Sequence, residues 1–228
     1  APLEVRERFS LGVEQREALL QADPQNRRAQ DALRKVCLEA RAYDDLEAFY
    51  AEAQRWEELI RLFERQTDFE DPSTKVLLHF RCARLWREKL DKEDRAARAY
   101  EKVLGIDAKN LQAAEALIPI YRAAKDYKRL AGALQVQADE TPDPEVRLDR
   151  LRALAEVYEQ NLSDRKAAFS QFAAALDVDW RPEWIREGAE RLAKEAGSFR
   201  ELAVAYEKAA TTATGSDVLP LLKVLAST

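Results

Sequence analysis

Residues 121–147, YRAAKDYKRLAGALQVQADETPDPEVR, repeat the skeleton of residues 50–76, YAEAQRWEELIRLFERQTDFEDPSTKV. Tyr50 and Trp56 become Tyr121 and Tyr127. Leu59, Phe63 and Gln66 become Leu130, Leu134 and Gln137, and an Asp-Pro closes both stretches about 71 residues apart. A second pair, residues 81–107 and 153–179, is offset by 72: Trp86 matches Tyr158, Leu90 Leu162, Ala96 Ala168, Tyr100 Phe172 and Asp107 Asp179. Two interleaved offsets near 72 make one double repeat of about 36 residues per unit. A period of this length restricts the fold to stacked supersecondary units, each of which buries its apolar face only against its neighbours.

Within a unit the apolar residues fall on two helical stripes. His79, Cys82, Ala83 and Trp86 are spaced i, i+3, i+4, i+7. So are Ala114, Leu117, Ile118 and Tyr121, and Leu151, Leu154, Ala155 and Tyr158. Second helices carry i, i+4, i+7: Ala96, Tyr100, Val103; Leu130, Leu134, Gln137; Ala168, Phe172, Ala175; Leu202, Tyr206, Ala209. The punctuation agrees with these stripes. Asp71-Pro72 and Asp143-Pro144 each supply an N-cap acceptor followed by Pro at the first helical position, where its missing N–H costs nothing. Asp91, Asn110, Ser163 and Ser198 are further candidate N-caps, and Gly105 and Gly197 candidate left-handed helix ends. The pattern predicts an all-α chain of about thirteen helices, and only six glycines and few β-branched runs speak for strands.

Charge and composition narrow the function classes. A net charge of −5 and a pI near 5.3 leave no basic face broad enough to neutralise many phosphates, so no nucleic-acid partner is expected. The longest apolar runs fall far short of the roughly 20 residues that span a bilayer, so no direct membrane insertion is expected. Cys37 and Cys82 stand too far apart for a metal knuckle and are too few for a disulfide framework. The expectation is a reducing, cytoplasmic setting.

Taken together, Leu151, Leu154, Ala155, Tyr158, Ala168, Phe172, Ala175 and the closing Asp23-Pro24 of LLQADPQN resemble the tetratricopeptide repeat. The resemblance covers nearly all of residues 1–228, although Gly188 stands where that family has Leu. It implies a single α-solenoid, a right-handed superhelix of antiparallel helix pairs. Tyr43, Leu46 and Tyr50 fit two registers at once, which implies a lost helix or a bend at 41–56. Residues 4–21 look like a second helix without a first, and SDVLPLLKVLAST like a first without a second, so a segment of a longer array is expected.

The chemistry-bearing residues point away from catalysis. His79 and Cys82 share one helical face, but a structural zinc site needs four ligands and both occupy core positions of the repeat. Neither a metal nor another cofactor is expected, no serine stands beside His79 for acyl transfer, and the paired carboxylates sit at caps and solvated faces. Trp180 and Trp184 in DWRPEW are expected to staple the next helix and to pack on the preceding unit. Pro119 falls inside a helix and frees the carbonyl of Glu115. In the family, one face of each first helix lines a concave groove. Carried over by position, this puts Leu77, Phe80, Arg84, Arg87, Glu115, Arg122, Arg152, Glu156, Glu159, Arg186 and Glu190 there. Phe80, Arg84, Arg87, Arg122 and Arg152 are the expected partner-binding residues, suited to an acidic or amphipathic protein or peptide. The resemblance implies a non-catalytic protein-interaction scaffold of the kind found in very large bacterial family members, some in motility or envelope-associated complexes. The alternatives are a regulatory or tethering domain of a larger enzyme and, further off, an RNA-binding helical repeat.

Overall fold

In a computed structural model, described over residues 26–212, the periodic stripes become helices α1 (Arg27–Glu39), α2 (Tyr43–Glu52), α3 (Trp56–Gln66), α4 (Pro72–Glu88), α5 (Glu93–Ile106) and α6 (Leu111–Ala124). Then follow α7 (Tyr127–Asp139), α8 (Pro144–Glu156), α9 (Arg165–Val178), α10 (Glu183–Ala196) and α11 (Phe199–Thr212). A 3-10 turn, Thr67–Phe69, precedes α4, and a π turn, Val157–Asn161, follows α8. There is no strand among the described residues. Their eleven helices correct the expected count of about thirteen; the helices expected at 4–21 and at SDVLPLLKVLAST, and Asp23-Pro24, lie outside the described residues.

The helix starts follow the capping logic of the sequence in most places. The Asp71 carboxylate accepts from the Thr74 N–H at 3.1 Å, the Asn110 amide oxygen from Ala113 N–H at 3.0 Å, and Asp143 from Glu145 and Val146 N–H at 2.9 and 3.1 Å. Each such cap is worth about 1 kcal/mol. Asp91 and Ser163 do not cap. They take left-handed backbone conformations (φ 52° and 54°), and after Ser163 it is Asp164 that accepts from Ala167 N–H at 2.9 Å. Gly105 lies inside α5 and not at a helix end, whereas Gly197 does end α10 at φ 69°. Left-handed residues recur with the sequence period, at Gln54, Lys125 and Gly197 and at Asp91 and Ser163. The repeat is therefore written in the backbone as well as in the side chains.

The residues divide into two compact units between Ala96 and Ala97, within α5. In the first unit α1 packs on α2, α2 on α3 and α3 on α4. The short α2 thus serves both neighbours, with Arg41 and Gln54 in left-handed turns at its two ends. Its core joins Leu33, Cys37, Leu46, Tyr50, Leu59, Ile60 and Phe63 to Leu78 and Cys82, all essentially without solvent contact. Tyr43 meets Phe63 edge to face at 5.8 Å, and the Cys82 thiol points at the Ile60 carbonyl. His79 is buried as well, at 6% exposure, so both residues of the expected core pair are core.

In the second unit each helix from α6 to α11 packs on the next, and α9 also meets α11. Its main apolar cluster runs through Leu151, Phe169, Leu176, Ile185, Leu192, Leu202 and Tyr206, with buried alanines such as Ala168, Ala175 and Ala189 among them. Trp180 and Trp184 pack against it, half-buried, as the sequence implies. Pro119 sits inside α6.

Candidate functional site

The expected binding residues are shared between the units. On α4 of the first, Phe80 is half-buried while Arg84 and Arg87 are exposed. Arg84 is not idle there, because it pairs with Glu47 of α2, whose other oxygen takes Arg81 at 2.6 Å. Arg81 also pairs with Asp44 at 2.8 Å and lies over the Tyr43 ring, so this charge cluster ties α2 to α4. Arg122 and Arg152 belong to the second unit, and both are exposed. Of the other residues carried over to the groove, all five in that unit have partners there, Glu156 and Glu159 in the pairs described below. Glu115 accepts from Gln137, Arg186 donates to the Trp180 and Arg181 carbonyls, and Glu190 accepts from the Tyr206 hydroxyl at 2.9 Å.

Arg152, Glu156 and Glu159 do come together, around a cavity of about 490 Å³. Its floor is made by α9 and α10. The Phe172 ring meets Trp184 edge-on at 6.0 Å, and the same ring lies on the backbone of Gly188, where an added Cβ would stand 2.2 Å from its Cε1. Glycine at this one position is what admits the ring. The departure from the repeat pattern at Gly188 therefore has a spatial cause.

The walls are charged. The Arg152 guanidinium lies 5.1 Å from the Trp184 ring centre, a cation–π contact, and its closest carboxylate is Glu156 at 3.6 Å. Opposite, Arg191 grips Glu159 with a two-pronged contact of 2.6 and 2.9 Å and also reaches Glu195. This grip holds the Glu159 carboxyl below the usual carboxylate range and raises the Arg191 guanidinium, in both cases mainly through the hydrogen bond between them. Glu159 and Gln160 reach the cavity from the π turn, whose wider winding ends α8. Such a cavity can hold an apolar side chain on aromatic rings while Arg152, the less committed cation, meets a carboxylate.

Sequence reasoning missed Phe172, Glu187, Gly188 and Arg191 as members of this site. One signal was there to be found. Cross-element ion pairs recur at separations of 28 to 34 residues: Arg81 with Glu47, Arg129 with Glu101 and Lys208 with Asp177 each join a helix to the next but one, and Arg191 of α10 reaches Glu159 in the π turn after α8.

No protein-family model matches the chain, and no curated protein matches it. Among solved structures it is similar to the crystal structure of BtubC (BKLC) from P. vanneervenii, at 16% identity and a TM-score of 0.38, over 100% of this chain and 94% of that one. No helix among the described residues is long and apolar enough to cross a membrane, and no three His, Cys, Asp or Glu side chains gather in metal-binding geometry among them.

Proposed function

We propose that the chain is a non-catalytic protein-interaction scaffold, a tetratricopeptide-like α-solenoid that binds an acidic or amphipathic segment of a partner protein in the cavity beside Arg152. Ion pairs that join several helices to the next but one support the solenoid reading, since stacked repeat units place equivalent helices side by side. The observation that carries the binding reading is the combination of Trp184, Phe172 and the bare Gly188 backbone under a cation that pairs, among the described residues, with Glu156 at 3.6 Å. Aromatic and arginine anchors in a concave pocket are where binding energy concentrates. The family's large bacterial members suggest the kind of assembly, a motility or envelope-associated complex.

A phage-displayed library of short random peptides tests this. Peptides enriched on the chain should carry acidic residues next to an apolar one, and Trp184→Ala and Arg152→Glu should each weaken their retention about tenfold or more. Lys128→Glu, on exposed α7 surface, is the matched control. Peptides that hold equally well to both cavity variants, or no enrichment over an uncoated surface, would overturn the reading.

A further inference from the structure

Where α8 begins, the second unit has another cavity, of about 470 Å³. We infer that it is a second binding site, one that takes the carboxylates of an acidic peptide with the Arg147 guanidinium as its charged anchor. The Nε of Arg147 is buried and meets no acceptor, and its guanidinium makes no ion pair among the described residues. That Nε is shut off from solvent, so the donors an oxygen in the cavity can meet are the two terminal nitrogens of the guanidinium. The nearby acids are already engaged. Asp143 accepts from the N–H groups of Glu145 and Val146, and Asp177 pairs with Lys208 of α11. Arg147 is thus the uncommitted charge in this cavity, with the cation of Lys208 beside it.

The walls decide between a bare anion and a peptide. Pro142 and Pro144 flank one side, and Ala174 and Val178, in the last turn of α9, form the other. A small inorganic anion would leave these apolar surfaces wet, whereas an extended acidic segment covers them with its own carbon while it presents a carboxylate to the fork of Arg147. The helix start is already capped by Asp143, so the attraction comes from Arg147 and not from the end of α8.

Side-chain Nε–H signals of the ¹⁵N-labelled chain give the test, with oligoglutamate as probe, oligoglutamine as the neutral counterpart and inorganic phosphate as the bare anion. The Arg147 signal should shift saturably with oligoglutamate and stay in place with oligoglutamine, and phosphate should be far weaker. Arg147→Lys keeps the charge but loses the fork, and should bind oligoglutamate about tenfold more weakly. Arg147→Ala should abolish binding while its thermal melt shows it folded, and Trp184→Ala should bind normally, which separates this site from the one beside Arg152. The inference is overturned if the Arg147 signal is unmoved, if phosphate matches the peptide, if exposed arginines across the surface shift alike, or if Arg147→Lys binds as well as the parent.

Discussion

The two Asp-Pro corners of the repeat share a backbone plan and differ in what fills them. In the first unit the Glu70 side chain, only 5% exposed, accepts from Arg41 at 2.7 Å, Gln66 at 2.7 Å and the Tyr43 hydroxyl at 3.2 Å. Arg41 reaches on to Asp71 at 3.0 Å, and that carboxyl, bonded by Ser73 and by the Thr74 backbone and hydroxyl, is held well below the usual carboxylate range. This network fastens the start of α2 to the start of α4. In the second unit Pro142 stands at the place of Glu70, 72 residues on, while the 71-residue offset of Tyr50 and Tyr121 puts Gln112, inside α6, at that of Arg41. There the start of α6 is fastened by the ion pair of Lys109 with Glu140 at 3.0 Å, and the cavity of Arg147 opens beside Pro142. A repeated fold thus keeps its helix starts while its polar fastenings change, and the lighter fastening of the second corner leaves room for a partner beside Arg147.

The largest expected effect comes from removing the fastening. Glu70→Ala strands three donors, one of them on the half-exposed Arg41, and after discounting that screened contact it should cost about 3 kcal/mol in chemical denaturation. Pro142→Ala at the matching place should cost less than about 0.5 kcal/mol. Similar losses at both positions would dissolve the contrast. Alkaline titration gives a second readout. Burial first, then the charge and hydrogen bond of Glu70, push the Tyr43 hydroxyl up to about 12. Because that value is raised, the contribution of Tyr43 to stability is fully present below its unfolded value of about 10 and is lost as pH climbs toward 12. Glu70→Gln should let Tyr43 ionise earlier by ultraviolet absorbance, while Tyr121 and Tyr206, raised chiefly by burial and then by bonds to Glu101 and Glu190, stay delayed.

What the sequence makes legible in these corners is whatever is periodic. The apolar stripes of α4, α6 and α8, the caps Asp71, Asn110 and Asp143, and the core places of His79 and Cys82 all follow from spacing along one helix. The Glu70 network does not. It joins residues about 30 positions apart through long side chains whose meeting depends on how helices lie together, and no stripe encodes it. The π turn at Val157–Asn161 escaped for a related reason: the same stripe that runs α-helically through Glu88 in the first copy continues past Glu156 in the second, and only the backbone reveals the wider winding. Asp91 and Ser163 look like caps by residue type, yet the left-handed turn that each occupies is fixed by the connection it has to make.

A middle-sized effect tests how the second copy opened its cavity beside Arg152. Gly188 and Phe172 stand where the preceding copy has Ala116 and Tyr100. Gly188→Ala restores the earlier residue but places a methyl group within 3 Å of three atoms of the Phe172 ring. Overpacking costs about 1–3 kcal/mol, and alanine in a helix returns about 1 kcal/mol, so a net loss of about 1 kcal/mol is expected. Phe172→Leu in the same chain should recover it, because the two positions are in contact. A stabilised Gly188→Ala protein would mean that the ring swings aside freely and that glycine is not needed for the floor.

The smallest change in stability belongs to the variant that should convert one corner into the other. Pro142→Glu puts a carboxylate at the place of Glu70, within the cavity that holds Arg147. The gain from pairing this half-exposed arginine is at most about 1 kcal/mol, and the loss of proline's restraint on the unfolded chain is about 0.4–1 kcal/mol, so the two nearly cancel. Binding should respond where stability does not. A carboxylate tethered beside Arg147 competes with any acidic segment at high effective concentration, so the oligoglutamate response of the Arg147 Nε–H should be lost in Pro142→Glu and kept in Pro142→Gln. If Pro142→Glu still bound oligoglutamate as the parent does, the built-in carboxylate of the first corner and the open cavity of the second would not be two answers to the same need, and the correspondence between the corners would end at the backbone.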